Sequence, residues 1–227
     1  MRIVFDMGGS IICPEGTPDI NFVKKFSKFL IGLKKKRHGI IIVTGGGRVA
    51  KNYIKAAREF KPDEDILDSI GILGTRMNAN VIISALGKHA YRNVAETRED
   101  LEHGINSGKI VVMGGTVPGQ TTDAVSVAAA QFFSAKMIII GTDVKGIYDK
   151  DPDKYKNAKL LKKISAKKLF KMVNVKKHTA GPLTIMDPVA AKLLCKNKIK
   201  TVVLNGRDLA NIQKAIKNER FVGSVIE

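Results

Sequence analysis

Five short apolar runs recur along this chain, at Arg2–Phe5, Ile40–Val43, Ile110–Met113, Met137–Ile140 and Thr201–Leu204. They are rich in isoleucine and valine and too short to be helices, so they are predicted to be strands buried on both faces. Between them the apolar spacing turns helical, at 20–35, 47–60, 64–87, 97–106, 123–134, 165–174, 187–197 and 208–217. A strand buried on both faces needs helices above and below it, and this alternation supplies them as parallel βαβ units. The expectation is an α/β layered fold. No glycine- or serine-rich linker divides the 227 residues, and no repeat of solenoid period is present. One compact domain, 1–227, with two lobes is the simplest organisation. Pro62, Pro118, Pro152, Pro182 and Pro188 punctuate turns, none of them inside a predicted strand.

In open α/β sheets, ligands gather at the carboxyl ends of strands, where loops lead into helix N-termini. Four such loops share one chemistry. They are Gly8-Gly9-Ser10, Gly45-Gly46-Gly47, the stretch "GGTVPGQTTDAV" from Gly114 to Val125, and "GTDVKGIYDKDP" from Gly141 to Pro152. Glycine removes the Cβ, so backbone N–H groups can approach an anion closely, and a helix start adds unpaired donors and a positive dipole end. Arg48 and Lys51 follow the second loop within about a turn of helix, which suits a phosphate better than a neutral ligand. In the third loop Thr116, Thr121 and Thr122 offer hydroxyls. Asp123 stands where an N-cap or first-turn residue belongs, able to cap the helix or to orient a lysine or a magnesium-bound phosphate. Any one of these glycine runs could simply permit a tight turn; together they point to a polyphosphate site.

Two familiar nucleotide sites fit poorly. Gly45 to Ala50 matches the dinucleotide pattern GxGxxG/A, but that pattern expects an acidic residue ending the next strand about 20 residues on. Here 64–87 has helical spacing instead, with apolar positions 66, 67, 70, 73, 77 and 81. The P-loop pattern GxxxxGK[ST] is absent. The net charge of +18 raises nucleic acid as a partner, yet the chain has no Trp and four Tyr, so base-stacking platforms are not expected and a solvated lysine-rich surface is. No apolar run reaches the ~20 residues of a membrane span. Cys13 and Cys195 show no CxxC spacing, and His38, His89, His103 and His178 no metal-ligand spacing. A reducing cytoplasm is the default, and a metal held by side chains alone is not expected.

Taken together, "GGS", "VTGGGRVAK", "MGGTVPGQTTDAV" and "GTDVKGIYDKDP" resemble the amino acid kinase family, and within it the uridylate (UMP) kinases of archaeal type. The resemblance runs from Arg2 to about Lys217, with the TTDA segment and "TDVKGIYDKDP" its most specific parts. It implies a three-layer αβα sandwich around a mostly parallel sheet, with residues about 1–135 on the acceptor side and 136–227 on the ATP side. It implies an ATP site of Gly9, Ser10, Gly47, Lys51, Thr142, Asp143, Tyr148 and Asp151. For UMP it implies Gly46, Asp68 and the loop Thr116, Val117, Pro118, Gly119, Gln120, Thr121 and Thr122, with Asp68 on the ribose. Lys51, Arg48 and Asp123 are the implied catalytic groups, magnesium is held mainly by the ATP phosphates, and the assembly is a homohexamer of dimers.

The sequence departs from the family at one point. Many members begin "KxGGS" or "KxSG", with a lysine that neutralises the moving phosphoryl group; this chain reads "FDMGGS", with Asp6 there. A carboxylate cannot take that role, although it can bind magnesium or orient a base such as Lys51. The implied reaction is phosphoryl transfer from ATP to UMP. A same-fold kinase with another small phosphate or carboxylate acceptor, and a nucleotide-binding regulator without catalysis, are the alternatives.

Overall fold

The computed structural model describes residues 1–174 and 186–227. Pro182 and His178 lie outside the described residues. The strands are β1 (Arg2–Met7), β2 (Gly39–Thr44), β3 (Val111–Met113), β4 (Met137–Thr142), β5 (Lys163–Ile164), β6 (Lys200–Asn205) and β7 (Ser224–Ile226). The helices are α1 (Gly9–Ile12), α2 (Ile20–Lys35), α3 (Gly47–Arg58), α4 (Glu64–Leu86), α5 (Arg98–Asn106), α6 (Thr122–Phe132), α7 (Ala166–Val173), α8 (Pro188–Lys196) and α9 (Leu209–Ile216).

The strands form one sheet in the order β3-β2-β1-β4-β6-β7-β5. All pairs are parallel except β6–β7. Every predicted strand is present. The additions, β5 and β7, are two and three residues long, too short to carry a period-2 signal. Alternation along each strand splits the core into two layers, because successive side chains point to opposite faces. Ile3, Phe5, Ile40, Ile42, Ile139 and Val202 pack under α2, α4 and α9. Val4, Ile41, Val43, Ile138 and Val203 pack against α5, α6, α7 and α8. The result is a three-layer αβα sandwich around a mostly parallel sheet.

Local chemistry sets the helix ends. Asp19, Thr97, Thr121, Ser165, Asp187 and Asp208 each accept a backbone N–H at the start of a helix. α2 buries Phe22, Val23, Phe26, Leu30 and Leu33. α4 behaves differently. Of its apolar positions, Ile66, Leu73 and Met77 are 51–60% exposed and Leu67 is buried, together with Gly74, Thr75, Asn78, Ala79 and Ile82. Tyr53 of α3 and Phe60 just past its end are exposed as well. Among the described residues, no helix is long and apolar enough to cross a membrane.

Candidate active site

Strand β1 has β2 on one side and β4 on the other, so consecutive connections leave it in opposite directions and open a crevice at its carboxyl end. All four glycine-containing loops leave the carboxyl ends of β1, β2, β3 and β4, so the sheet brings them to one edge. Gly8 N–H donates to Gly141 O at 3.0 Å and Gly45 N–H to Met7 O at 3.0 Å, tying the first loop to the fourth and the second to the first.

The glycines do more than leave room for an anion. A Cβ on Gly9 would stand 1.9 Å from Gly47 N, one on Gly45 2.5 Å from Gly9 N, and one on Gly47 2.6 Å from Gly9 O. Gly47 also has φ +62, in the left-handed region. The first two loops interlock backbone against backbone, and this contact is what requires glycine there. Ser10 remains exposed just beyond it.

Helix α3 begins at this junction. Its N-cap, Gly46, supplies no side chain, its first turn has no acidic residue, and Arg48 and Lys51 are exposed. Two cations at the positive end of a helix dipole repel it, and an anion seated there relieves the repulsion. Lys51 makes no ion pair among the described residues.

Asp6 does not orient Lys51. It lies on the β1 face that meets α6, 2% exposed, next to Ser126 and Asp123. Burial first, opposed by hydrogen bonding from Ser126 and Asp123 and reinforced by the Asp187 charge, raises its carboxyl from 3.8 to about 6. Burial and then the charges of Asp6 and Asp187 push Asp123 well above its ordinary value, against the pull of the Asp187 N–H. Asp6 Oδ2 and Ser126 Oγ are buried without a hydrogen bond of regular geometry. Two carboxyls in one buried space cannot both ionise cheaply, so the pair holds a proton between them near neutral pH.

Asp123 is not the helix cap. Thr121 caps α6, accepting from Ala124 N at 3.2 Å, while Asp123 Oδ2 accepts from Asp187 N at 3.2 Å. Asp187 caps α8 and also accepts from the Thr121 hydroxyl, so it locks the starts of α6 and α8 together. The Asp187-Pro188 pair signals a helix start in the sequence. Nothing there signals the link to Thr121.

The third loop leans on α4. Thr75 Oγ1 accepts from Gly115 N at 2.6 Å, and Asp68 Oδ2 accepts from Gly119 N at 2.7 Å. Asp68 thus reaches the tip of this loop. Asn78 donates to Gly45 O at 2.7 Å, joining α4 to the second loop as well. Val117, Pro118, Gly119, Gln120 and Thr121 are exposed, and Thr116 Oγ1 donates to Gln120 Oε1 at 3.0 Å. A cavity of about 720 Å³ lies on the other side of the loop, bordered by Thr97, Met113, Thr116, Gln120, Val125 and Phe132.

On the fourth loop Thr142 donates to Asp143 Oδ1 at 3.1 Å, and Asn205 Nδ2 donates to Asp143 O at 3.2 Å. Asp151 orders its own turn, accepting from Asp153 N at 3.0 Å. Tyr148 is half-buried and bridges to Leu160, outside the main core.

The sequence model of the Amino acid kinase family matches residues 1–205. The chain is 41% identical to "Uridylate kinase" of Methanocaldococcus jannaschii and 40% identical to "Uridylate kinase" of Thermococcus kodakarensis, covering 100% of both chains in each case. The crystal structure of uridylate kinase from Archaeoglobus fulgidus superposes with a TM-score of 0.87 at 35% identity, again over 100% of both chains. The interlocked glycine loops, the uncapped cationic start of α3 and this full-length likeness agree: the chain belongs to the amino acid kinase family.

Proposed function

We propose that this protein is a uridylate kinase, moving the γ-phosphoryl group of ATP onto UMP to give UDP and ADP. The observation that carries the reading is the start of α3, uncapped, free of acid and flanked by exposed Arg48 and Lys51 where the first two loops interlock. The choice of UMP as acceptor rests on full-length similarity to relatives named uridylate kinase.

The acceptor is a phosphate oxygen whose second pKa is ~6, so it is ionised near neutral pH and needs no general base. Catalysis then comes down to alignment and to positive charge on the moving group. In this reading Gly9, Ser10, Gly47 and Lys51 hold the ATP phosphates, and Thr142, Asp143, Tyr148 and Asp151 hold the adenosine. Gly46, Asp68 and Thr116 to Thr122 hold UMP, so residues 1–135 form the acceptor lobe and 136–227 the ATP lobe. Arg48 and Lys51 take over the charge that Asp6 cannot supply, and Asp123 ties the start of α6 to the start of α8.

Kinases of this kind work with magnesium. The described residues do not offer it a cage: no group of three His, Cys, Asp or Glu side chains has metal-holding geometry, and Asp6 and Asp123 hold a proton between them. The ion is therefore read as arriving on the ATP phosphates, and no step is drawn through it. The free thiols of Cys13 and Cys195 suit a reducing cytoplasm. For the homohexamer, the exposed apolar face of Tyr53, Leu73 and Met77 on α3 and α4 is the surface to bury between copies.

Calorimetric titration tests the site. Wild-type protein binds UMP, and Asp68→Asn weakens UMP by about tenfold, since a hydrogen bond loses its charge, while ATP affinity is unchanged. Unaltered UMP affinity removes Asp68 from the acceptor site.

A further inference from the structure

The acceptor loop is exposed from Val117 to Thr121, so its shape must be imposed from its base. Two backbone carbonyls at that base, those of Gly115 and Thr116, accept from one side chain. Arg76 of α4 gives its Nε–H to Gly115 O at 3.2 Å and an Nη2–H to Thr116 O at 3.1 Å. Its Nη1 meets Glu96 Oε2 at 2.7 Å, and the Arg76 side chain is only 23% exposed. We infer that Arg76 is a positioning residue for the acceptor, holding the loop base in its working shape with Glu96 as its anchor. The inference rests on the reading of Gly115 to Thr122 as the UMP loop.

The three contacts explain why arginine stands there. Three nitrogens of one rigid plane reach three acceptors in three directions, whereas a lysine ammonium on a flexible stem satisfies Glu96 or one carbonyl, not all of them. Charge-assisted bonds from a half-buried guanidinium are also the stronger kind. The clamp works with its neighbours on α4. Asp68, Thr75 and Arg76 are spaced i, i+7 and i+8, so they lie along one side of the helix and meet the loop at Gly119, Gly115 and Gly115–Thr116. Thr75 keeps the loop attached when Arg76 is removed, so the loss falls on the shape of the loop and not on the fold. Arg76 donates nothing to the ATP-side loops among the described residues, so its effect is confined to one substrate.

Steady-state kinetics and hydrogen exchange on wild type, Arg76→Leu, Arg76→Lys and Glu96→Gln test this. In Arg76→Leu the KM for UMP rises about tenfold or more, since two charge-assisted bonds are lost, while the KM for ATP stays within about twofold. Arg76→Lys recovers part of the loss, Glu96→Gln shifts UMP in the same direction by less, and amide exchange at Gly115–Gln120 quickens in all three. A UMP KM within about twofold of wild type, or a parallel rise for ATP, overturns the assignment. If Arg76→Leu does not fold, the same UMP-only criterion applies to Arg76→Lys and Glu96→Gln. If wild type does not phosphorylate UMP, the functional reading fails, and exchange alone decides the clamp: unchanged protection at Gly115–Gln120 ends it.

Discussion

Replacing Gly9 with alanine puts the interlocked loops to a quantitative test. The new Cβ would lie 1.9 Å from Gly47 N, 2.3 Å from Gly47 Cα and 2.8 Å from Gly46 C. Ordinary contact begins at 3.4 Å, so the first two loops must part by about 1.5 Å. All three neighbours are backbone, so no flexible side chain can swing away. Overpacking a core typically costs 1–3 kcal/mol, and a backbone-on-backbone clash belongs at or above the top of that range, about 3 kcal/mol. For a chain of this size that lowers the midpoint of thermal unfolding by roughly 6–12 °C. The companion change Gly32→Ala, in the last turn of α2 with nothing within 4 Å of its Cβ, should stabilise by up to ~0.5–1 kcal/mol through helix propensity. Thermal unfolding followed by circular dichroism measures both. A Gly9→Ala midpoint at or above that of wild type would refute the interlock.

Three further changes probe the site and its surroundings. Asp6 has its folded carboxyl raised from 3.8 to about 6, so the stability it lends is full below its unfolded pKa and is lost as pH rises through about 6. By linkage that loss is about 3 kcal/mol; urea midpoints from pH 4 to 8 should fall for wild type and stay flatter for Asp6→Asn, and parallel curves would count against the buried pair. Lys51→Ala should lower kcat at least as much as it raises the KM for ATP, by roughly 10²-fold if it meets transition-state charge; unchanged turnover takes Lys51 off the catalytic list. Leu73→Lys, on the exposed face of α4, should reduce the assembled mass seen by light scattering without lowering the unfolding midpoint, and an unaltered mass would place the interface elsewhere.

The layered fold was legible in the sequence because burial on both faces writes a strand as a run of isoleucine and valine, and the predicted helices appear within a few residues of their observed ends. The short strands β5 and β7 were not legible, since two or three residues hold no period. The apolar positions 66, 67, 70, 73, 77 and 81 marked the α4 helix correctly, but of them only Leu67 is fully buried. Thr75 and Asn78 turn inward because they bond the third and second loops, and Gly74 because it lies against Ala50 of α3; a hydrophobicity pattern cannot register that. The site divides in the same way. Loop glycines and the cations of α3 stand out locally. Asp187, Asn78 and Arg76 do not, because each is one ordinary polar residue whose partner is 33 to 66 positions away. The closest contact of all, Gly9 on Gly47, joins two glycine runs that each look like an independent ligand loop. Asp6 was visible as a departure from the family pattern, but only the β1 register shows that it faces α6 and Asp123 rather than the lysines.

A coupled ADP-release assay with ATP and magnesium, offering UMP, CMP, AMP, GMP and no acceptor in parallel, decides whether the protein is a uridylate kinase. Turnover with UMP is expected far above every other acceptor, which would also show that catalysis tolerates Asp6 in place of the family lysine. Silence with all acceptors, or equal rates with each of them, would contradict that reading.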